Sequence, residues 1–221
     1  VHDILNLLNG IIGYSAFHLE EVDFESLPDD LRGIHSSAQR LYELFKESLE
    51  ISRAHEINPE TIQLGTLLDQ YQQKFLQKRR DEIIYHNDSK RLITGDRQQI
   101  WRIIDNLLGN ALYATRESGV VTIGVSDVNL DRKHQGHHTI IPAGEYELLT
   151  VADTGTGIPP EMLEPIFDRF YTTKGEEGNG LGLSVVKKFT YMNNGFINVI
   201  SSTEEPSGTT FQVYFPALTE S

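Results

Sequence analysis

Asp153-Thr154-Gly155-Thr156-Gly157-Ile158 and, shortly after it, Gly178-Asn179-Gly180-Leu181-Gly182-Leu183 are the stretches on which the fold of this chain turns. The first follows the apolar run Leu149-Thr150-Val151-Ala152. Asp153 is therefore expected at a strand end, partly buried, with Gly155 and Gly157 clearing space above it. A buried carboxylate needs hydrogen-bond donors. A ligand can supply them, and so can the loop itself if Asp153 heads an Asx-turn. The second run opens directly into a helical pattern from about Leu181 to Met192. Amides there, backed by the helix dipole, suit a negatively charged group. The run lacks the Lys-Ser/Thr of a P-loop and does not lie in a dinucleotide-binding strand–turn–helix unit. Taken alone, it fits a simple helix-entry turn equally well.

Upstream, Asp96 to Arg116 reads as a strong helix, capped by Asp96, with Ile100, Ile103, Ile104, Leu107, Leu108 and Leu112 on its apolar face. Within it, Asn106-Leu-Leu-Gly-Asn110-Ala111 sets two asparagines four residues apart on one face. Asparagine inside a helix is unfavourable unless something recruits it. Leu67 to Arg80 also reads helical, and Glu82 to His86 reads extended. Strands are expected at Val120 to Val128, Tyr146 to Ala152, Phe196 to Ser201 and Thr210 to Phe215, the last two parted by the turn Pro206-Ser207-Gly208. Consecutive strands without crossover helices imply one mixed sheet under a helical layer. The insert Asp131 to Gly144, with His134, His137 and His138, reads as an exposed hairpin loop. Its histidines have no carboxylate or cysteine at metal-ligand spacing.

Residues 1–57 read as two helices joined by a turn at Phe24 to Asp30. Leu31, Ile34, Ala38, Leu41, Phe45, Ser48 and Ser52 follow bundle-seam spacing, as do Ile4, Leu7, Ile11 and Tyr14. Two such helices cannot bury faces this wide against each other, so a homodimeric four-helix bundle is expected. Asn58-Pro59 marks the boundary, because the residue before proline is driven out of helical geometry. The domains are then 1–57 and 58–221, and the fold class is α+β: an antiparallel helical hairpin followed by an α/β sandwich.

The chain has 221 residues, 38% hydrophobic, with no cysteine and a net charge of −13. It is long enough for a small domain and a medium one. Disulfides and thiolate metal sites are excluded. The acidic balance argues against nucleic-acid partners, since the one basic cluster, Lys78-Arg79-Arg80, is followed at once by Asp81-Glu82. No apolar run reaches the ~18 residues of a membrane span. The chain begins without methionine and is read as a cytoplasmic fragment of a longer protein, which leaves membrane anchoring upstream open.

At the N-terminus stands His2-Asp3-Ile-Leu-Asn6-Leu-Leu, and near the C-terminus Gly208-Thr209-Thr210-Phe211. Together with the blocks above and Ile166-Phe167-Asp-Arg169-Phe170-Tyr171-Thr-Thr-Lys174, this ordered set resembles the H, N, G1, F, G2 and G3 boxes of the sensor histidine kinases of two-component systems. The resemblance runs from residue 2 to about residue 216. It implies an ATP-binding sandwich of the histidine kinase, gyrase and chaperone type, which phosphorylates His2 and passes the phosphoryl group to an aspartate of a response regulator. Asp3 would orient the imidazole or accept its proton, and Asn6 would position water for dephosphorylating the partner. His18, His35 and His55 lack that setting.

The same resemblance implies that Asp153 receives the exocyclic amine of adenine and that Asn110 gives Mg²⁺ one amide oxygen, with Asn106 beside it. Gly155, Gly157, Gly178, Gly180, Leu181, Gly182, Thr209 and Thr210 complete the nucleotide site. Phe167 and Phe170 would anchor the base of a lid, and Lys174 would reach the phosphates. Tyr113 stands where many relatives have a basic residue. ATPases of this fold carry a water-activating glutamate four residues before the magnesium asparagine, where this chain has Asn106. Two other readings are an ATPase whose hairpin only dimerises and a degenerate nucleotide-binding scaffold.

Overall fold

A computed structural model of the chain describes residues 57–75, 83–116, 119–137, 139–174 and 180–218, with Ser37, Ala38 and Leu41. His2, Asp3, Asn6, Gly178 and all but four residues of the expected hairpin lie outside the described residues. The described elements are β1 (Glu60–Ile62), α1 (Leu64–Phe75), β2 (Ile83–Asp88), β3 (Ile93–Gly95), α2 (Arg97–Ala114), β4 (Val121–Leu130), β5 (His134–Gln135), β6 (Ile140–Ile141), β7 (Gly144–Asp153), α3 (Gly182–Met192), β8 (Phe196–Ser202) and β9 (Gly208–Pro216).

Five strands form one mixed sheet in the order β2-β4-β7-β9-β8, parallel between β2 and β4 and antiparallel elsewhere. The strand period of two turns Val121, Ile123, Val125, Leu149, Val151, Ile197, Val199, Phe211, Val213 and Phe215 to one face, where all are buried. Against them pack Leu64, Leu67, Leu68 and Tyr71 of α1, Ile100, Ile103, Ile104, Leu107, Leu108 and Ala111 of α2, and Val185, Val186 and Phe189 of α3. These recur three and four residues apart, so each helix lays one stripe on the sheet. The result is a single core between two layers.

Asp96 joins three parts of this layer. Its Oδ1 accepts from the N–H groups of Gln98 and Gln99 at 2.9 and 3.0 Å, capping α2, and its Oδ2 accepts from Asn58 N–H at 3.0 Å. Its own N–H donates to Asn193 Oδ1, at the C-terminal end of α3, at 2.7 Å.

Several expectations need correction. The helix expected from Leu67 starts at Leu64, and the three-residue strands β1 and β3, which pair antiparallel, were not expected. The insert read as an exposed hairpin loop does form the antiparallel ribbon β5–β6, but Ile141 of that ribbon is fully buried. It packs with Tyr146 and Tyr214 on the outer face of the sheet, where Tyr146 meets Phe196 and Tyr214 edge-on at 6.0 and 5.9 Å. Phe170, expected among the apolar anchors, is 66% exposed with φ of 68°. Among the described residues, no helix is long and apolar enough to cross a membrane.

Candidate functional site

β7 is the central strand of the sheet, and its last residue is Asp153, flanked in register by Val121 of β4 and Thr209 of β9. That position explains its burial at 9% exposure. Burial pushes the Asp153 carboxyl above its ordinary value, and backbone N–H groups of Gly155 and Thr209 pull it back. The Gly155 N–H lies 2.9 Å from Oδ1. Asp153 therefore heads an Asx-type turn while also facing a cavity, so the two readings of this residue are compatible.

The glycine turn beyond Asp153 is fastened to the sheet end. Ile158 N–H donates to Ser201 Oγ at 2.8 Å, and that oxygen lies 2.9 Å from Thr209 Oγ1. Gly157 has φ of 71°, and a Cβ there would stand 1.9 Å from the Ser202 carbonyl oxygen. No other residue fits this turn without moving β8.

The cavity has a volume of about 730 Å³. Its walls come from α2 (Asp105, Asn106, Gly109, Asn110, Tyr113, Ala114), from the Asp153–Pro159 turn, from Tyr171 to Lys174, and from Gly180, Gly182 and Leu183 at the start of α3. Ile158, Met162, Ile166, Leu183 and Phe211 supply apolar surface to the cavity that Asp153 also lines. Phe167 lies beneath, buried and edge-on to Phe211 at 6.4 Å. Such a slot, apolar with one buried acceptor, suits a flat heterocycle carrying an amine.

Phe170 and Gly180 are joined through their backbones. Phe170 N–H donates to the Gly180 carbonyl at 2.8 Å. Gly180 has φ of 67°, and a Cβ would lie 2.3 Å from the Phe170 carbonyl carbon. Phe170 thus acts here through its backbone, and its ring is outside the core. Lys174 reaches back over the cavity, and its Nζ donates to Asn110 Oδ1 at 2.7 Å. Asn106 turns its amide onto its own helix, donating to the Arg102 carbonyl at 2.8 Å.

The structure thus brings together Asn106, Asn110, Tyr113, Asp153, Gly155, Gly157, Lys174, Gly180, Gly182 and Thr209 around one space. Two expected members stand apart. Thr210 is turned to the opposite face of β9, since only Thr209 shares the phase of the buried Phe211 and Val213. Leu181 is buried beneath the turn at 2% exposure and is absent from the walls. Sequence reasoning missed Arg116, Glu205 and Ser207, which also line the cavity. Arg116 was legible in principle, a base three residues beyond Tyr113 and just past the end of α2.

No group of three or more His, Cys, Asp or Glu side chains able to hold a metal occurs among the described residues. Asn110 offers one hard amide oxygen, and that oxygen already attracts a cation in the form of the Lys174 ammonium. A divalent ion held mainly by a ligand's own oxygens and by water fits this single donor.

The family model described as "Histidine kinase-, DNA gyrase B-, and HSP90-like ATPase" matches residues 95–219. The chain is 32% identical to sensor kinase CckA of Brucella abortus (strain 2308), over 99% of this chain and 24% of that protein. It is 27% identical to sensor protein SrrB of Staphylococcus aureus (strain MRSA252), over 97% of this chain and 36% of that protein. With sensor histidine kinase ZraS of Salmonella typhimurium the identity is 26%, over 98% and 44%. The chain therefore spans a quarter to less than half the length of these relatives. Among solved structures, the catalytic domain of histidine kinase ThkA is 26% identical with a TM-score of 0.56, over 72% of this chain and 97% of that one. Full-length ShkA in complex with AMPPNP shares the fold with a TM-score of 0.69 at 24% identity, over 100% of this chain and 45% of that one. With its central-strand aspartate, its paired helical asparagines and its glycine turn into α3 gathered on one cavity, this chain belongs to the histidine kinase-, DNA gyrase B- and HSP90-like ATPase family.

Proposed function

We infer that the chain is the kinase core of a two-component sensor. It binds ATP in the cavity, transfers the terminal phosphoryl group to His2, and donates it onward to an aspartate of a response-regulator receiver domain. The observation that carries this reading is the convergence of Asp153, Asn110, Lys174 and the Gly180–Gly182 turn on a single space. Its similarity to sensor kinase CckA and sensor histidine kinase ZraS supports the same class of activity.

Each group has a defined task in this proposal. Asp153 accepts the adenine amine, and the apolar walls take the ring. The α3 N-terminus and Lys174 meet the phosphates. Asn110 would offer Mg²⁺ an amide oxygen, and the ion would offset charge on the phosphate oxygens. Asn106 is an amide bonded to its own helix and cannot take a proton from water, so ATP is kept for the histidine. In the transfer, a neutral His2 ring nitrogen attacks the γ-phosphorus. A P–N bond forms as the P–O bond to ADP breaks, and the proton on the other nitrogen leaves towards Asp3. Residues 1–57 form the dimerising hairpin that carries His2, and Asn6 serves dephosphorylation of the regulator.

The test is labelling with γ-³²P ATP. The unsubstituted chain should acquire acid-labile, base-stable label, and His2→Gln should acquire none. Label persisting on His2→Gln moves the acceptor elsewhere. Steady phosphate release without any phosphoprotein would instead identify an ATPase.

A further inference from the structure

Tyr113 carries two cations. The Arg116 guanidinium carbon lies 4.4 Å from the centre of its ring, and the Lys174 ammonium lies 4.5 Å from the same centre. Both distances are well inside cation–π range. Arg116 and Lys174 are also the only cationic side chains on the cavity wall among the described residues, against Asp105, Asp153 and Glu205. The undescribed stretch 175–179, Gly-Glu-Glu-Gly-Asn, contains no base in its sequence.

The charge ledger of the cavity wall is therefore unfavourable to an anion without those two groups. It is made worse by α2, whose C-terminal end lies at Tyr113 and Ala114 and has no basic residue in its last turn. The carbonyl end of a helix dipole repels negative charge. A nucleotide tail brings several negative charges into this setting.

We propose that Arg116 is a phosphate-binding residue and that Tyr113 is the positioning residue which presents Arg116 and Lys174 together to the anionic tail of the nucleotide. Resting on the nucleotide-site reading above, this assigns to an aromatic ring the charge-placing task at a helical position that has no charge of its own. The ring meets both cations through its face and adds no charge of its own. Lys174 is bonded to Asn110 as well.

Calorimetric titration of the whole chain with adenosine and with ADP, without added divalent cation and at fixed low salt, tests this. Tyr113→Leu and Arg116→Gln should each weaken ADP about fivefold to tenfold and leave adenosine unchanged. Retained adenosine binding also shows that the variants are folded. Tyr113→Phe should recover most of the affinity lost in Tyr113→Leu, and Arg116→Gln should flatten the salt dependence of ADP binding. Undiminished ADP affinity in Tyr113→Leu and Arg116→Gln overturns the proposal. So does an equal loss for adenosine and ADP, which would make the ring only a wall of the base slot. If the unsubstituted chain binds neither compound, the nucleotide-site reading itself falls, an outcome distinct from both.

Discussion

Asp153 owes its setting to position more than to chemistry. Any carboxylate at the end of the central strand, with Thr209 and Val121 on either side, is shielded from water and must find donors. The Gly155 and Thr209 amides supply two, and the residue lines the cavity. Asp153→Asn removes the charge and exchanges one acceptor oxygen for a donor. A hydrogen bond to a charged group contributes about 1.5–3 kcal/mol. ADP affinity should therefore fall by roughly ten- to a hundredfold in this variant. Unaltered affinity, measured by calorimetry on a chain that unfolds like the parent, would remove Asp153 from base recognition. Thr209 and Thr210 show how finely such assignments depend on phase. They are adjacent and chemically identical, yet only Thr209 points to the cavity, because it shares the parity of Phe211, Val213 and Phe215.

Among the elements, α2 does most to shape the site. One side gives the core its aliphatic stripe, while Asn106, Asn110, Tyr113 and, just past its end, Arg116 form a polar edge along the cavity. Residues three and four apart share a face, so one helix can serve both layers. Its start is held by Asp96, which also takes the Asn58 amide and gives its own N–H to Asn193. Asp96→Ala breaks the cap and leaves the Asn58 N–H without its acceptor. The variant should lose about 2 kcal/mol of unfolding free energy in urea, with an unchanged denaturant slope. Asp96→Asn, which can still cap, should recover part of it. A loss under 0.5 kcal/mol would show that water replaces all of these bonds.

Across the folded domain, the buried Glu147 links parts that are distant in sequence. It is fully buried on β7, accepts from Leu64 N–H at 3.1 Å at the start of α1, and receives the Ser89 hydroxyl. Burial pushes its carboxyl up from an ordinary 4.5 to about 7, and Asp127 pushes the same way. The Ser89 hydroxyl, the Leu64 amide and Arg91 pull it down. Because the native pKa is raised, the folded state holds a proton that the unfolded chain gives up between pH 4.5 and 7. The stabilising contribution is complete below that window and is lost as pH rises through it, a change of about 3 kcal/mol. Glu147→Gln stays neutral throughout. Its unfolding free energy should fall less between pH 5 and pH 8 than that of the parent chain, by about 2–3 kcal/mol. Parallel pH profiles for the two proteins in urea denaturation would show that the carboxylate is stabilised by its donors after all.

Periodicity and punctuation in the sequence already specify the layered α/β architecture, the position of α2 and its Asp96 cap, the span of α3, and the blocks that line the cavity. These are local properties: an apolar stripe at helical spacing, or a glycine where the backbone must turn, is visible in a few consecutive residues. The strands β1 and β3 were not visible, because three residues carry no period and those strands exist only by pairing with each other. The β5–β6 ribbon is ordered by burying Ile141 against Tyr146 and Tyr214, partners brought near by the sheet. The exposure of Phe170 follows from its backbone bond to Gly180, across a stretch of chain whose closure no local pattern encodes. Placing Arg116 and Lys174 over one tyrosine ring likewise required the return of the lid segment onto α2. Contacts between residues far apart in sequence arise only once the core has fixed where the chain comes back, and the charges that face the nucleotide cavity are contacts of that kind.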